Sequence, residues 1–569
     1  MADVLTRAAG CMGGIMRVRV VNGPLTVQAT AGTNVVLLGM NLDEPLAAQL
    51  MGFAVHRVDH TEGEAYWLPN QLLFAANDNG ADSEWSSRDN PVQTFRWGDY
   101  TAKPAHQYTY TVVARGCSSA HLTDLAEVTV HVGTENPDLG THAVYFNRGA
   151  MASQWYAVRF KNAQPADVPN REAYKWLSRG LEEALLGFIG QASSSRWSLR
   201  GALYEFTYAP VLEAFRLASQ SGADVQLVVD AVGAPTAEPS KSNEVAIAAA
   251  GIGSLVSPRT HVSIAHNKFV VACLDGRPVS VWTGSTNVTE GGIFGQSNVG
   301  HVVRDAKVAR SYLDAWDRIR ANPMPKPMKA ANDASWLVPP RRLNDGVHSV
   351  FTPRGSLAAL DWFAKLAGRA RTAVFLTAAF GLSDQMEAVF TQERRALKYL
   401  LLDKDDGVAL TVRSADPDNQ VSVGAMVPRG GWGQWVREVT LNRNKHVRYI
   451  HTKYLLIDPL GNDPIVVTGS ANFSKASTQS NDENMLVIRG DTAVADVYLT
   501  EYMRLFTHYE FRGRTKTPKT QLAPGPETVV DPRSNPGRLY LKEIPSEWVP
   551  RWFEPRSPRA KERLLFSGS

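Results

Sequence analysis

The chain has 569 residues, of which 44% are apolar and 20% are charged. A chain of this length predicts three or four domain-sized units, and its composition excludes a collagen-like, low-complexity or largely disordered protein. The 60 basic and 56 acidic residues leave a net charge of +4, which is too even a balance to identify a nucleic-acid-binding protein by charge alone.

The cysteine count and the hydropathy pattern indicate the cellular compartment of the protein and whether it spans a membrane. Cys11, Cys117 and Cys273 lie too far apart for a disulfide framework or a CxxC metal site. We therefore expect a reducing compartment and a cytoplasmic location, with secretion left open. Because the chain has no run of 18 or more apolar residues, we expect no transmembrane segment.

Residues 1–135 predict an all-β sandwich. Short segments that alternate apolar and polar residues run from Met16 to Val132, separated by Gly, Pro, Asn and Asp turns. The order TFRWGDY and then QYTYTVVAR resembles fibronectin type III or immunoglobulin-like domains, which implies Trp97, Tyr108 and Tyr110 as core aromatics. We expect this module to carry no chemistry of its own.

Beyond Asn136 the pattern changes to alternating strands and helices, which predicts a largely parallel sheet covered by helices. A second round of the same pattern begins near residue 348, so we expect two α/β halves, at 140–325 and 345–515, followed by a Pro-rich arm and tail at 516–569. The predicted elements are HAVYFN (142–147), a helix at 171–190, LYEFTY (203–208), VQLVVDA (225–231), a dividing Pro-rich stretch at 322–329, HSVFTPR (348–354), a helix at 357–367, TAVFLTAAF (372–380), a helix at 384–393 and YLLLD (399–403).

The most specific signal is an internal repeat. His266, Lys268 and the motif Gly284-Ser285-Thr286-Asn287 recur 185 positions later as His451, Lys453 and Gly469-Ser470-Ala471-Asn472. In each copy the histidine precedes the asparagine by 21 positions. Since strand side chains alternate between faces, the His and Lys of each pair should point to the same side.

These residue types suit phosphodiester chemistry. One imidazole can attack phosphorus, and a second can protonate the leaving oxygen. Two ammonium groups and two carboxamides can hold the non-bridging oxygens as negative charge builds in the transition state. Neither a metal nor another cofactor is required, and the chain contains none of the common metal or nucleotide motifs.

The doubled pattern HxK(x)4D…GSxN resembles the phospholipase D superfamily over roughly residues 140–512. The second copy matches fully, with Asp458 in place, whereas the first has Cys273 at that position and Asp275 as its nearest aspartate. The resemblance implies two pseudo-symmetric α/β/α halves behind the sandwich and a hydrolase that works through a phosphohistidine. It implies His266, Lys268, Asn287, His451, Lys453, Asn472 and Glu483 as catalytic residues, and Ser285, Ser470, Gln296 and Asn298 as substrate-binding residues.

The residue that orients each imidazole in this superfamily lies downstream of the GSxN motif. Glu483 takes that place in the second copy, and Asn298, with Gln296 as an alternative, takes it in the first. A carboxylate keeps an imidazole protonated and an amide does not. We therefore predict that His451, paired with Glu483, is the general acid. His266, paired with Asn298, is the predicted nucleophile.

Two further segments precede the second motif. Trp432 and Trp435 form part of a Gly-rich segment that suits either a membrane-contacting rim or stacking on a base, with local packing as the plainer interpretation. Arg443, Lys445, His446 and Arg448 would attract an anionic substrate, or form a solvated strand face.

The sequence thus predicts a metal-independent phosphodiesterase. Phospholipid is the preferred substrate class by analogy with other chains that fuse two motifs, and peripheral contact with a membrane would accompany it. A nuclease or DNA-repair-like phosphodiesterase is the first alternative. A non-catalytic binding or scaffold protein is the second.

Overall fold

The computed structural model describes residues 14–70, 72–78, 85–149, 153–233, 237–393, 395–404, 407–416, 418–424, 449–514 and 540–569. The chain divides into two compact units. The first comprises Met1–Asn136, Asp496–Arg504 and Arg514–Ser569, and the second comprises Pro137–Ala495 and Leu505–Gly513. Among the described residues, none of the helices combines the length and the apolarity needed to span a bilayer.

The first unit is the all-β region that the sequence predicts. Its strands are β1 (Arg17–Asn22), β2 (Leu25–Ala31), β3 (Val36–Leu42), β4 (Leu50–Asp59), β5 (Glu64–Trp67), β6 (Pro69–Asn70), β7 (Trp85–Ser86), β8 (Arg96–Asp99), β9 (Gln107–Ser118) and β10 (His121–Gly133), with a short helix α1 (Glu44–Ala47). Two antiparallel sheets, in the orders β1-β2-β3-β8 and β10-β9-β4-β5, enclose one apolar core. Tyr108 and Tyr110 are buried in that core, and Trp97 packs against it.

The C-terminal residues complete this core. Trp548 and Trp552 are buried within it, and both rings lie against Phe95, with centroids 5.8 and 5.3 Å away. The helix Pro558–Ser567 follows and packs on β3. Its buried Glu562 accepts a hydrogen bond from Arg96 Nε at 2.7 Å. The tail therefore belongs to the sandwich rather than standing apart from it.

The second unit contains two seven-stranded sheets. The first has β11 (His142–Phe146), β12 (Trp197–Leu203), β13 (Asp224–Asp230), β14 (Val256–Arg259), β15 (Lys268–Leu274), β16 (Arg277–Gly284) and β17 (Val299–Val303). The second has β18 (Gly346–Thr352), β19 (Ala373–Ala378), β20 (Leu397–Leu402), β21 (Asn419–Val423), β22 (Tyr454–Ile457), β23 (Ile465–Gly469) and β24 (Glu483–Arg489). We call these sheets and their helices the first half and the second half.

Helices accompany both sheets. They are α2 (Ser153–Phe160), α3 (Glu172–Ser178), α4 (Leu181–Gly190), α5 (Ala209–Gln220), α6 (Ser240–Ala250), α7 (Ala306–Arg320), α8 (Pro325–Ser335), α9 (Ala358–Ala367), α10 (Asp384–Thr391), α11 (Val408–Ala415), α12 (Lys475–Gln479) and α13 (Thr492–Arg514). The Pro-rich stretch that the sequence assigns to a divider enters α8, because Pro325 occupies its first turn, where no backbone N–H is needed.

The two sheets have the same strand order, β11-β17-β16-β15-β12-β13-β14 and β18-β24-β23-β22-β19-β20-β21. This identity confirms the predicted pseudo-symmetry of the α/β body. The prediction of a largely parallel sheet is wrong, since only the last three strands of each order run parallel and the other pairs are antiparallel.

A tight hairpin explains much of this difference. β15 and β16 are joined by Asp275-Gly276, whose φ angles of 50° and 75° are both left-handed, as the favoured two-residue hairpin turn requires. Asp458, which immediately follows β22, has a similar φ of 48°. The N–H groups of Asp275 and Asp458 donate to Arg196 O and Ala373 O. Asp275, rather than Cys273, therefore occupies the turn position of Asp458.

One predicted strand is displaced along the chain. The strand lies at Trp197–Leu203, and the predicted LYEFTY segment begins where this strand ends. Tyr204 and Glu205 thus leave the sheet at the carboxyl end of β12, beside β15. Other predicted strands of the body, including HAVYFN, VQLVVDA and TAVFLTAAF, coincide with β11, β13 and β19 to within two residues.

Candidate active site

The two histidines lie in extended segments immediately ahead of central strands. His266 precedes β15, whose first residue is Lys268, and His451 and Lys453 precede β22. Each segment is tied to a buried aspartate at the carboxyl end of the strand two positions away in the sheet, β13 or β20. Asp230 Oδ1 accepts from Ala265 N at 2.8 Å, and Asp403 Oδ1 accepts from Ile450 N at 2.8 Å. Both motifs are therefore held by the same local device.

The glycine of each GSxN motif permits a close approach between strands. A Cβ atom at Gly284 would lie 2.2 Å from Val299 O, and one at Gly469 would lie 2.2 Å from Asn484 O. A side chain would push β17 and β24 away from their neighbours. Only with glycine do the residues at the start of those strands, Asn298 and Glu483, reach the histidines.

The two halves bring the histidines together. The ring centroids of His266 and His451 are 6.5 Å apart, and both residues are buried. Reacting atoms in a near-attack geometry lie about 3 to 3.5 Å apart. The separation therefore suits one phosphorus atom placed between the two rings.

The orienting partners cross between the halves. His266 Nδ1 lies 2.7 Å from Glu483 Oε2, and His451 Nδ1 lies 2.9 Å from Asn298 Oδ1. The prediction that paired Glu483 with His451 and Asn298 with His266 is therefore wrong. It assumed that each copy orients its own histidine, whereas the face-to-face packing of the halves puts each orienting residue against the histidine of the other copy.

Gln296, the alternative orienting residue, lies elsewhere in the turn before β17. It is buried, and its backbone carbonyl accepts a hydrogen bond from Asn147 Nδ2 at 2.7 Å. Asn298 N in turn donates to Asn147 Oδ1 at 2.9 Å. This arrangement fixes the turn from which Asn298 reaches His451.

The serines of the two GSxN motifs support the orienting residues. Ser285 Oγ donates to Asn298 Oδ1, and Ser470 Oγ donates to Glu483 Oε2, each at 2.8 Å. Both serines are fully buried. The structure thus places Ser285 and Ser470, which the sequence assigns to substrate binding, where they position the acceptors behind the imidazoles.

These contacts define the protonation of the rings. Asn298 Nδ2 donates to Gly292 O at 2.8 Å, which makes Oδ1 the atom that faces His451. An acceptor at Nδ1 requires a proton on that nitrogen. The Nε2 atom of each ring is therefore the one available for phosphoryl chemistry, as an electron-pair donor when neutral and as a proton donor when charged.

The lysines repeat one arrangement in both halves. Lys268 Nζ donates to His266 O, and Lys453 Nζ donates to His451 O, each at 2.7 Å. Burial lowers the pKa of Lys268 to about 8, although Glu483 and Glu205 oppose that shift. Burial and the neighbouring Lys268 lower the pKa of Lys453 well below its usual value. Two buried ammonium groups, of which Lys268 acts electrostatically on Lys453, favour an anionic ligand.

The same charges shape the histidines and Glu483. Burial, Lys268 and Lys453 hold the pKa of His266 well below its usual value, and burial and the same lysines do so for His451. Burial raises the pKa of Glu483 to about 7, although Lys268, Ser470 and Lys453 lower it. An incoming phosphodiester anion offsets the ammonium charge and so raises the pKa of both imidazoles.

Sequence reasoning missed Glu205. Asn287 Nδ2 donates a hydrogen bond to Glu205 Oε2. Burial raises the pKa of this carboxyl group, and the charges of Lys268 and Lys453 oppose the shift. The one available signal was an acidic residue within an otherwise apolar and aromatic predicted strand. Asn287 Oδ1 and Asn472 Oδ1 are buried without a hydrogen-bond partner among the described residues.

The charge at this site does not suit a metal cation. The converging groups are two imidazoles and two ammonium groups, with Glu483 and Glu205 as the acidic members. In the described part of the chain, one set of carboxylates comes within the spacing of metal ligands, and it consists of Asp59, Glu62 and Glu64 in the sandwich. Exposed acidic groups of this kind are common without an ion.

A buried ion pair joins the two halves beside the site. Arg259, at the end of β14, donates to Asp482 Oδ2 at 2.7 Å, and both side chains are fully buried. Asp482 immediately precedes Glu483, and its N–H donates to Ile264 O at 3.0 Å. The pair therefore fixes the approach of Glu483 to His266.

We expect Arg259→Met to lower the free energy of unfolding of the α/β unit by about 3 to 5 kcal/mol, because Asp482 would keep a buried charge without its partner. Chemical denaturation followed by tryptophan fluorescence measures the change. Arg196→Met is the matched control, since Arg196 pairs with Asp275 where both side chains are more than half exposed, and it should shift the midpoint little. Equal shifts in both variants would contradict the assigned role of the buried pair.

The tryptophans Trp432 and Trp435 and the basic residues Arg443, Lys445, His446 and Arg448 lie outside the described residues. Their predicted contributions stay predictions.

One family profile matches segments that contain both motifs. The profile of the family described as "Cardiolipin synthase, PLD-like domain" matches residues 187–320 and 391–505. The mitochondrial cardiolipin hydrolase of Xenopus laevis is 33% identical over 72 residues, which are 13% of this chain and 32% of that protein. The chain thus spans about a third of the length of this curated relative.

Two solved structures superpose on parts of the chain. Phosphatidylserine synthase from Haemophilus influenzae superposes with a TM-score of 0.40 and 11% identity, over 58% of this chain and 85% of that one. The phospholipase D family member Nuc from Salmonella typhimurium superposes with a TM-score of 0.21 and 29% identity, over 25% of this chain and 86% of that one. The first profile segment contains His266, Lys268 and Asn287, and the second contains His451, Lys453 and Asn472. The chain thus resembles the phospholipase D-like domain of the cardiolipin synthase type, with one matched segment in each half.

Proposed function

We propose that the protein is a metal-independent phosphodiesterase of the phospholipase D type that works through a phosphohistidine. The observation that carries the proposal is the pair of buried imidazoles, with centroids 6.5 Å apart, each held at Nδ1 by an acceptor from the other half. Two ammonium groups and two asparagines accompany them, which is the set of groups that stabilises a phosphorane-like transition state.

His266 is the nucleophile in this mechanism. Its Nε2 lone pair forms the bond to phosphorus while the bond from phosphorus to the leaving oxygen breaks. Phosphorylation at Nε2 leaves the ring positively charged, because Nδ1 keeps its proton. Glu483 Oε2, 2.7 Å from that Nδ1, balances the new charge. The crossed pairing thus supports the role that the sequence assigns to His266, for a different reason.

His451 is the general acid. Its imidazolium gives the Nε2 proton to the leaving oxygen in the first step, and the neutral ring then takes a proton from water or an alcohol in the second. The new oxygen bonds to phosphorus as the bond to His266 breaks. Asn298 suits this residue, because a neutral amide accepts from Nδ1 in both protonation states of the ring.

Phospholipid is the proposed substrate class. The matched family profile and the curated relative both carry cardiolipin in their descriptions. The basic segment at residues 443–448 favours a nuclease as the second candidate. Both substrates present a phosphodiester to the same central site, so the groups beyond the phosphate decide between them.

We expect the protein to hydrolyse vesicles of phosphatidylcholine or cardiolipin faster than single- or double-stranded DNA, with chelator present throughout. Product release is measured for each substrate, with His266→Ala as the control that should abolish it. Turnover of DNA above that of lipid would assign the nuclease function. A strong loss of DNA turnover between about 50 and 200 mM salt would support phosphate-backbone recognition. Binding without turnover of either substrate would favour the scaffold alternative.

A further inference from the structure

A pocket of about 410 Å³, lined by both apolar and polar side chains, opens beside the second motif. It lies at the carboxyl end of β19 and beneath the start of α12. Its walls include Leu357, Phe380, Leu382, Asn472, Phe473 and Lys475. Phe380 is 47% exposed, so its ring offers apolar surface at this pocket.

The pocket is continuous with the phosphate-binding groups. Asn472, the asparagine of the second GSxN motif, forms part of its wall. The ring of Phe380 also lies 6.0 Å from Lys453 Nζ. If Lys453 and Asn472 hold a phosphate, a substituent bonded to that phosphate lies at the mouth of this pocket.

The corresponding place in the first half is polar. Gly201 pairs with Val270 as Leu376 pairs with Leu455, so Tyr204 and Glu205 correspond in register to Ala379 and Phe380. The ring of Tyr204 lies 4.8 Å from that of His266, and Glu205 binds Asn287. The site is thus symmetric in its catalytic groups and asymmetric in polarity around them.

We propose that this pocket binds the apolar, aliphatic substituent of the phosphodiester, and that Phe380 sets the preference for it. This inference rests on the proposed function and specifies the substrate further. Hydrophobic contact with Phe380, Leu382 and Leu357 supplies the binding energy, while Asn472 and Lys453 hold the attached phosphate. The polar substituent of the phosphodiester then lies in the first half, where the side chains around Glu205 are polar.

Alkyl phosphates test the pocket without catalysis. Dissociation constants of inorganic phosphate, methyl phosphate and hexyl phosphate are measured by calorimetry on the full-length wild-type protein and variants. Each buried methylene is worth a factor of about four, and hexyl phosphate has about five more methylenes than methyl phosphate. Burial of about half of them should make hexyl phosphate bind about 30-fold tighter than methyl phosphate. Phe380→Ala should cut this ratio about tenfold, whereas Phe380→Leu should keep most of it. Leu410→Ala, at a side chain 71% exposed on α11, is the matched control and should leave the ratio unchanged.

The outcomes separate this inference from the proposed function. Absence of any binding of inorganic phosphate would count against the phosphodiesterase site itself. Binding of phosphate with equal affinities for methyl and hexyl phosphate would overturn the pocket assignment alone. A preference for thymidine 5′-phosphate over hexyl phosphate that depends on Phe380 would also overturn it, because the pocket would then hold a base.

Discussion

Replacing His266 by alanine is expected to abolish both turnover and covalent labelling of the protein. The loss of turnover should be about 10⁴-fold or more, since no other described group takes the place of an attacking imidazole. His451→Ala should behave differently with a p-nitrophenyl phosphodiester, whose leaving group departs without a proton. The first step then proceeds, the second lacks its base, and phosphorylated protein accumulates. Intact-mass spectrometry at neutral to alkaline pH detects the added phosphoryl group.

The control for these variants is His121→Ala, an exposed histidine of β10 in the sandwich. It should label and turn over like the wild type. Labelling that persists in the His266 variant and vanishes only in the His451 variant would reverse the two roles. Labelling in neither variant, alongside unchanged turnover, would remove the phosphohistidine from the mechanism.

Replacing Glu483 by glutamine is expected to lower kcat/KM by about 10² to 10³-fold, because an amide cannot balance the charge of a phosphorylated His266. The raised pKa of Glu483, about 7, also predicts the pH dependence. Below that pH the carboxyl group is protonated and loses the charge that supports His266. Wild-type kcat/KM should therefore rise with pH up to about 7, and this limb should be absent in Glu483→Gln.

Asn298→Ala is the matched comparison, since it removes the corresponding acceptor from His451. The Asn298→Ala variant should have a lower kcat/KM, but its kcat/KM should still rise with pH up to about 7, because Glu483 is present. If kcat/KM of the Glu483→Gln variant rises with pH at the same midpoint as in the wild type, the ionisation belongs to a group other than Glu483. Initial rates across pH 5 to 9 at constant ionic strength provide the measurement.

The sequence was sufficient to predict the repeat and its consequences. Matched spacing of His, Lys and Asn predicts two equivalent halves, and the identical strand orders confirm them. Alternating patterns likewise locate the sandwich strands, including β9 with the buried Tyr108 and Tyr110. Because these patterns depend on residues close together in the sequence, they can be interpreted without knowledge of the tertiary structure.

The sequence could not reveal which half serves which histidine. Spacing along the chain places Glu483 nearest His451, whereas the hydrogen bond from His266 to Glu483 joins residues 217 positions apart. Only the packing of the two sheets decides this contact. The mixed sheet does have a local signal, because the Asp275-Gly276 turn predicts a two-residue hairpin, whereas the alternation of strands and helices favours a parallel sheet.

Glu205 and Phe380 show a further limit of the motif search. Both lie just past the end of a strand, at positions that correspond between the halves by sheet register. A search for repeated letters passes over positions where the two copies differ. Those differences are where the structure departs from symmetry around its shared catalytic groups, and so where substrate preference can arise.

The return of the chain end into the sandwich affects biosynthesis. The bond between Arg96 and Glu562 joins residues 466 positions apart. At typical ribosomal rates, Glu562 is made about 25 to 90 s after Arg96. The strands of the sandwich are translated before the α/β unit but lack Trp548 and Trp552 during that interval, so their apolar core stays incomplete. The sandwich can therefore complete its core only after the α/β unit has been translated.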